Sequence, residues 1–73
     1  MMTLNHVPKS KQVVIKDITN ATVNEHLSSM GFTVGSTVTV ISKLPFNGAI
    51  AFESHQTRVA IRATDAAHIV VMD

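Results

Sequence analysis

Residues that commonly bind metal ions are few in this chain and lie far apart in the sequence. Its 73 residues include four histidines and five acidic residues. The best local candidates for a metal site are the pairs Glu53 with His55 and Asp65 with His68. Each pair offers two ligands, whereas a structural zinc site uses four protein ligands and a catalytic one uses three. We therefore predict surface histidines and no dedicated metal site. A divalent-metal binder or sensor built from residues distant in sequence is the alternative.

The groups that catalysis requires do not occur together either. There is no cysteine to act as a nucleophile, and no serine lies in a G-x-S-x-G pattern. The acidic residues are too dispersed to suggest a catalytic pair, and Gly31 and Gly35 fit turns better than a phosphate-binding loop. The sequence therefore predicts a protein that is not an enzyme, with no catalytic residues and no cofactor.

Charge and hydropathy exclude two further classes of function. Six basic and five acidic residues give a formal net charge of +1, and tyrosine and tryptophan are absent. Nucleic-acid binding usually needs a concentrated basic surface and aromatic stacking, so we expect none. The longest apolar runs are about four residues, whereas a membrane-spanning helix needs about 20. We expect a cytoplasmic protein with no direct membrane insertion, and the lack of cysteine fits a reducing compartment.

One short helix is predicted to begin at Thr22. Thr22 and Glu25 have the spacing of a capping box, in which each side chain accepts from the other residue's backbone N–H. Gly31 is predicted to end the helix in a Schellman motif, with Phe32 packed against Leu27. The apolar stripe of this helix consists of Val23, Leu27 and Met30. Such a short helix is unstable alone, so packing must hold it in place.

The rest of the chain has the alternating pattern of a mainly β protein. Five strands are predicted, at residues 13–18, 37–43, 50–54, 58–62 and 68–72. Residues 1–12 are interpreted as an irregular arm anchored by Leu4 and Val7. Residues 63–67 are a short turn or single helical turn with Thr64 and Asp65 as candidate caps. We predict a single domain at residues 1–73, folded as a small SH3-like or OB-like barrel with the helix between its first and second strands.

Two surface features are candidates for contact with a partner. Leu44 and Phe46 flank Pro45 in a loop before the turn dipeptide Asn47-Gly48, and they either fold back over an open end of the barrel or form an apolar contact for a partner or a second copy. Arg58 and Arg62 are four residues apart on one strand and therefore share its outward face. They are either a solvated basic edge or a contact for an acidic partner or anionic headgroups.

An ordered set of motifs runs through nearly the whole chain. The set is Leu27-x-x-Met30-Gly31-Phe32-x-x-Gly35, Val38-x-Val40, Pro45-Phe46-x-Gly48, Ile50-x-Phe52, Val59-Ala60-Ile61-Arg62 and Ala66-x-x-Ile69-x-Val71. Together these motifs resemble the FeoA family, the small cytosolic proteins of bacterial ferrous iron uptake. Val34 and Ala49 stand where the family often has proline, which changes turn rigidity rather than fold.

The resemblance implies an SH3-like barrel and a non-enzymatic accessory role. Its implied partner is the cytosolic, GTP-binding part of the membrane transporter FeoB, which would recruit the chain to the inner face of the membrane. On this basis we expect the partner contact at Leu44, Pro45 and Phe46, with Arg58 and Arg62 second. A self-associating regulatory module, and hence a homo-oligomer, is the other alternative.

Overall fold

The computed structural model describes residues 2–46 and 48–73 of the chain. These residues contain six strands and two α-helices. The elements in chain order are β1 (Met2–Thr3), a 3₁₀ turn (Leu4–His6), β2 (Gln12–Ile18), α1 (Ala21–Ser29), β3 (Thr37–Lys43), β4 (Ala49–Ser54), β5 (Thr57–Arg62), α2 (Ala63–Ala66) and β6 (Ile69–Met72). Neither α-helix in these residues has the length and apolar character needed to cross a bilayer.

All six strands belong to one antiparallel sheet with the order β1-β6-β2-β3-β4-β5. The five predicted strands are confirmed, each within one residue of its predicted start. The count of five is wrong, because Met2 and Thr3 pair with Val71 and Val70 as a further edge strand. Consequently α1 follows the second strand rather than the first, and residues 2–6 of the predicted irregular arm are regular.

Side chains from the sheet and both helices meet in one core. Alternation places Val38, Val40 and Phe52 inside, each at most 1% exposed. Phe32 lies edge-on to Phe52, with ring centroids 5.2 Å apart. The pairing register shifts between Ile15 and Asp17 and between Val40 and Ser42. Such irregularities bend strands, which helps the sheet curve around the core.

Two further predictions are confirmed: the residues that anchor the N-terminal arm, and the way in which α1 ends. Leu4 and Val7 are fully buried. Gly31 adopts φ +89° and donates its N–H to the Ser28 carbonyl at 3.0 Å, and Phe32 donates to the Leu27 carbonyl at 2.9 Å. These two bonds are the Schellman pattern, which uses carbonyls that the last helical turn leaves unpaired.

The predicted caps at the helix starts are wrong. Asn20 caps α1, because its Oδ1 accepts the Val23 N–H at 3.1 Å, and Thr22 lies inside the helix. Asparagine is a somewhat better N-cap than threonine, so the helix begins two residues earlier than the capping-box spacing predicts. At α2 the cap position is Arg62, which makes no side-chain cap bond, and Thr64 and Asp65 are helical.

Candidate protein-interaction site

A tight loop joins β3 to β4 and carries the first predicted contact. We call it the Phe46 loop; its described residues are 44–46 and 48. The Leu44 N–H donates to the Ala49 carbonyl at 2.9 Å, and the Gly48 N–H donates to the Pro45 carbonyl at 3.2 Å. The predicted turn dipeptide includes Asn47, which lies outside the described residues. Both ends of the loop are therefore fixed by backbone bonds to the sheet and to itself.

Glycine at position 48 permits this close turn. A Cβ there would lie 2.8 Å from the Leu44 Cβ and 3.1 Å from the Pro45 carbonyl oxygen. Neither atom is the far end of a flexible side chain, so any larger residue would displace the loop backbone.

The Phe46 loop presents its apolar side chains to solvent. Phe46 is 99% exposed and Leu44 is 61% exposed. Phe46 also adopts φ +58°, a left-handed conformation that non-glycine residues seldom take. Folding back over the barrel, one of the two predicted arrangements, is therefore wrong, and the loop offers an uncovered apolar surface.

The predicted contact residues Arg58 and Arg62 lie on one face of β5, and each forms an ion pair with a carboxylate. Arg58 Nη2 lies 3.3 Å from Glu53 Oε2, and Arg62 Nε lies 3.8 Å from Asp65 Oδ2. Arg62 stands opposite Ala49 in the ladder, next to the base of the Phe46 loop, whereas Arg58 stands opposite Glu53 at the far end of the strand. The structure thus brings Arg62 towards the loop and leaves Arg58 about 13 Å further along β5.

The two acidic residues that were candidate metal ligands, Glu53 and Asp65, are the ones that form these ion pairs. Glu53 pairs with Arg58 and Asp65 pairs with Arg62. The ring of His68 contacts Thr19, with its Nδ1 3.4 Å from the threonine hydroxyl. Over residues 2–46 and 48–73, no group of three or more histidine and acidic side chains is positioned to hold a metal ion. The alternative of a site assembled from distant residues gains no support from these residues.

A groove between α1 and β5 is a surface that sequence reasoning missed. We call it the α1–β5 groove; it has a volume of about 590 Å³ and is open to solvent. Its lining residues are Asn20, Thr22, Val23, His26 and Leu27 of the α1 region, and Ala60, Ile61, Arg62 and Asp65 of the β5–α2 region. These two sets are more than thirty residues apart in the sequence, so no local pattern could have indicated their proximity.

Comparison with protein families and solved structures agrees with the motif resemblance. A sequence model of the FeoA domain matches residues 2–73. No curated protein sequence matches the chain. The manganese regulator SloR shares the fold with a TM-score of 0.83 at 17% identity, over 97% of this chain and 34% of SloR.

Two solved FeoA proteins are similar in both fold and sequence. An iron uptake regulatory protein, FeoA, has a TM-score of 0.81 and 29% identity, with 97% of this chain and 96% of that chain covered. Stenotrophomonas maltophilia FeoA in complex with zinc has a TM-score of 0.83 and 25% identity over 99% of this chain and 91% of that one; it is described as a prokaryotic SH3 domain protein and a candidate ferrous iron transport activating factor. The predicted SH3-like fold is thereby supported, and the chain belongs to the FeoA family.

Proposed function

We propose that this chain is an accessory protein of bacterial ferrous iron uptake that binds the cytosolic part of a FeoB-type membrane transporter. Membership of the FeoA family supports the iron-uptake setting. The observation that carries the binding role is Phe46, a phenylalanine 99% exposed on a loop fixed by backbone hydrogen bonds. In this proposal the chain is cytoplasmic, is not an enzyme, and reaches the membrane surface through its partner.

The geometry of the Phe46 loop suits a protein contact. Burying one exposed phenylalanine contributes about 2 kcal/mol, roughly a thirtyfold change in Kd. Leu44, on the same loop, adds a second apolar side chain. Because backbone bonds already fix the ends of the loop, little conformational entropy is lost on binding.

Arg58 and Arg62 have a secondary role in this proposal. Their ion pairs with Glu53 and Asp65 are solvent-exposed, and such pairs contribute little to stability. A carboxylate of the partner can therefore compete for either guanidinium at small cost. We expect these contacts to affect the association rate and its salt dependence more than the affinity.

The test is an NMR titration of the labelled chain with the transporter's cytosolic domain, with and without guanine nucleotide. We expect shifts clustered on the Phe46 loop, and Phe46→Ala to weaken binding at least about tenfold and to lower iron uptake. Val34→Ala is the matched control, since Val34 is also an exposed apolar turn residue, 58% exposed. Equal binding and uptake by wild type and Phe46→Ala would remove the loop from the proposal.

Two companion measurements separate this function from its alternatives. Titration of the free chain with Fe²⁺ under reducing conditions tests direct metal binding, a possibility raised by the zinc complex of the Stenotrophomonas maltophilia relative. Sedimentation at several protein concentrations tests self-association through the exposed loop. A saturable metal site with histidine shifts, or a stable dimer lost in Phe46→Ala, would favour the corresponding alternative.

A further inference from the structure

We propose that the free edge of β5, together with the α1–β5 groove, binds an extended segment of a partner protein as an added strand. The segment would carry acidic side chains on its outward face and apolar side chains facing the groove. This inference rests on the proposed function, because a partner protein supplies the segment. It adds to that function a second contact surface and the chemical character of the segment that binds to it.

Backbone hydrogen bonding determines which groups of β5 are available. The Ala63 N–H donates to the Gly48 carbonyl at 3.2 Å, in register with the ladder that pairs Ile61 with Ile50. Along an antiparallel strand, successive residues direct their backbone N–H and C=O alternately towards and away from the neighbouring strand. Since Ala63 bonds to the β4 side, every second residue before it, namely Ile61, Val59 and Thr57, also directs its backbone groups towards β4. Arg58 and Ala60 therefore direct theirs away from it, towards the free edge.

These outward groups are unpaired in the structure. β5 is the last strand of the sheet, and no hydrogen bond among the described residues uses the N–H or C=O of Arg58 or Ala60. Two donors and two acceptors spaced in this way match the backbone of an extended chain, which is the recognition chemistry of strand addition. Ala60 is exposed and small, so its side chain leaves the edge accessible.

Charge argues against a second copy of this chain as the added strand. Antiparallel pairing of two β5 strands about a two-fold axis at Ala60 would place Arg58 of one copy opposite Arg62 of the other. Like charges directly opposite destabilise a strand pair. A segment with acidic residues at those two positions would instead form an opposite-charge pair at each end, in exchange for the exposed pairs that the arginines make with Glu53 and Asp65.

The groove provides space for the other face of the added strand. A new strand would lie about 4.8 Å from β5, on the side where α1 stands across the groove. Its inward side chains would contact the accessible edges of Val23 and Ile61, with the polar residues Asn20, His26 and Asp65 at the rim. The volume of about 590 Å³ falls within the range of ligand-binding pockets.

The probe is the peptide acetyl-Thr-Glu-Val-Ser-Val-Glu-Thr-amide, titrated into the labelled full chain. Its serine would pair with Ala60, its glutamates with the two arginines, and its valines would face the groove. We expect amide shifts confined to β5 and to the residues of α1 and α2 that line the groove, and slower hydrogen exchange at Arg58 and Ala60. No shifts with millimolar peptide, shifts centred elsewhere, or shifts that grow with protein concentration alone would each overturn the proposal.

Two modified peptides test the two kinds of contact. N-methylation of the serine removes one backbone donor, and we expect affinity to fall about fivefold to tenfold. Replacement of both glutamates by lysine should weaken binding several-fold at low salt, and the difference should shrink as salt is added. Equal affinity for all three peptides would mean that neither the backbone nor the charges recognise the segment, and would overturn the proposal.

Variants of the chain provide the reciprocal test. Ala60→Pro deletes an outward N–H that the β4 ladder does not use, so the fold should persist and peptide affinity should fall about fivefold to tenfold. Ala60→Val keeps the N–H and is the matched control. Should Ala60→Pro unfold, the N-methylated peptide tests the same bond. Absence of peptide binding by the wild-type chain, or unchanged peptide affinity in Ala60→Pro, overturns this inference. Absence of the Phe46→Ala effect on transporter binding overturns the proposed function instead.

Discussion

The Phe46 loop and the α1–β5 groove are both candidate contact surfaces, yet they are built differently. The loop lies within one short stretch of sequence and exposes side chains that contribute nothing to the core. The groove is formed by elements distant in sequence, and its apolar lining includes Val23, Leu27 and Ile61, which also belong to the core. The exposed side chains of the loop can therefore change without loss of fold, whereas those in the interior of the groove cannot.

The largest expected effect tests that difference directly. Leu27 is fully buried and lines the groove, so Leu27→Ala should lower the free energy of unfolding by about 3 kcal/mol. Phe46→Ala should change it by less than about 0.5 kcal/mol, because exposed substitutions rarely alter stability. Urea denaturation of both variants measures the contrast. Similar losses in the two would show that the Phe46 loop also supports the fold.

A smaller effect is expected at the base of the loop. Gly48→Ala should lower the free energy of unfolding by about 1–3 kcal/mol, since the new Cβ would lie 2.8 Å from the Leu44 Cβ. It should also weaken partner binding while Phe46 is still present, because the loop backbone must move. Thermal unfolding and the NMR titration measure the two effects. Wild-type stability of the variant would contradict the close contact described at Gly48.

The helix that forms the far wall of the groove provides the next test. Asn20→Ala should lower the free energy of unfolding by about 1 kcal/mol, because the side chain caps α1. Thr22→Ala should leave it unchanged or raise it by a few tenths of a kcal/mol, because Thr22 lies inside the helix and alanine has the higher helix propensity. Chemical denaturation of the pair distinguishes the observed cap from the capping-box prediction. A larger loss for Thr22→Ala would restore that prediction.

Local patterns were sufficient for much of the fold. The alternation at Val38 and Val40, and the Gly31 stop followed by Phe32, each depend on residues close in sequence, and the structure contains both. The strand at Met2–Thr3 has no such pattern, because its pairing with β6 is what makes it a strand. Predictions failed where a contact far along the chain, or competition between adjacent caps, decides the structure.

The candidate surfaces follow the same division. Leu44 and Phe46 could be named from the sequence, but their exposure could not, because it depends on the φ of Phe46 and the close approach at Gly48. The α1–β5 groove could not be predicted at all. Its rim residues His26 and Asp65 carry no shared motif and are neighbours only through the fold.

The smallest expected effect on stability concerns the two arginines of β5. Arg58→Gln and Arg62→Gln each remove an exposed ion pair, so stability should change by less than about 0.5 kcal/mol. The two should differ in binding, because Arg62 is beside the Phe46 loop and Arg58 is at the far end of β5. Association rates with the transporter domain, measured at low and high salt, should fall for Arg62→Gln more than for Arg58→Gln if the loop alone makes contact. Equal falls in both would mean that the partner covers the whole length of β5 and engages its edge together with the loop.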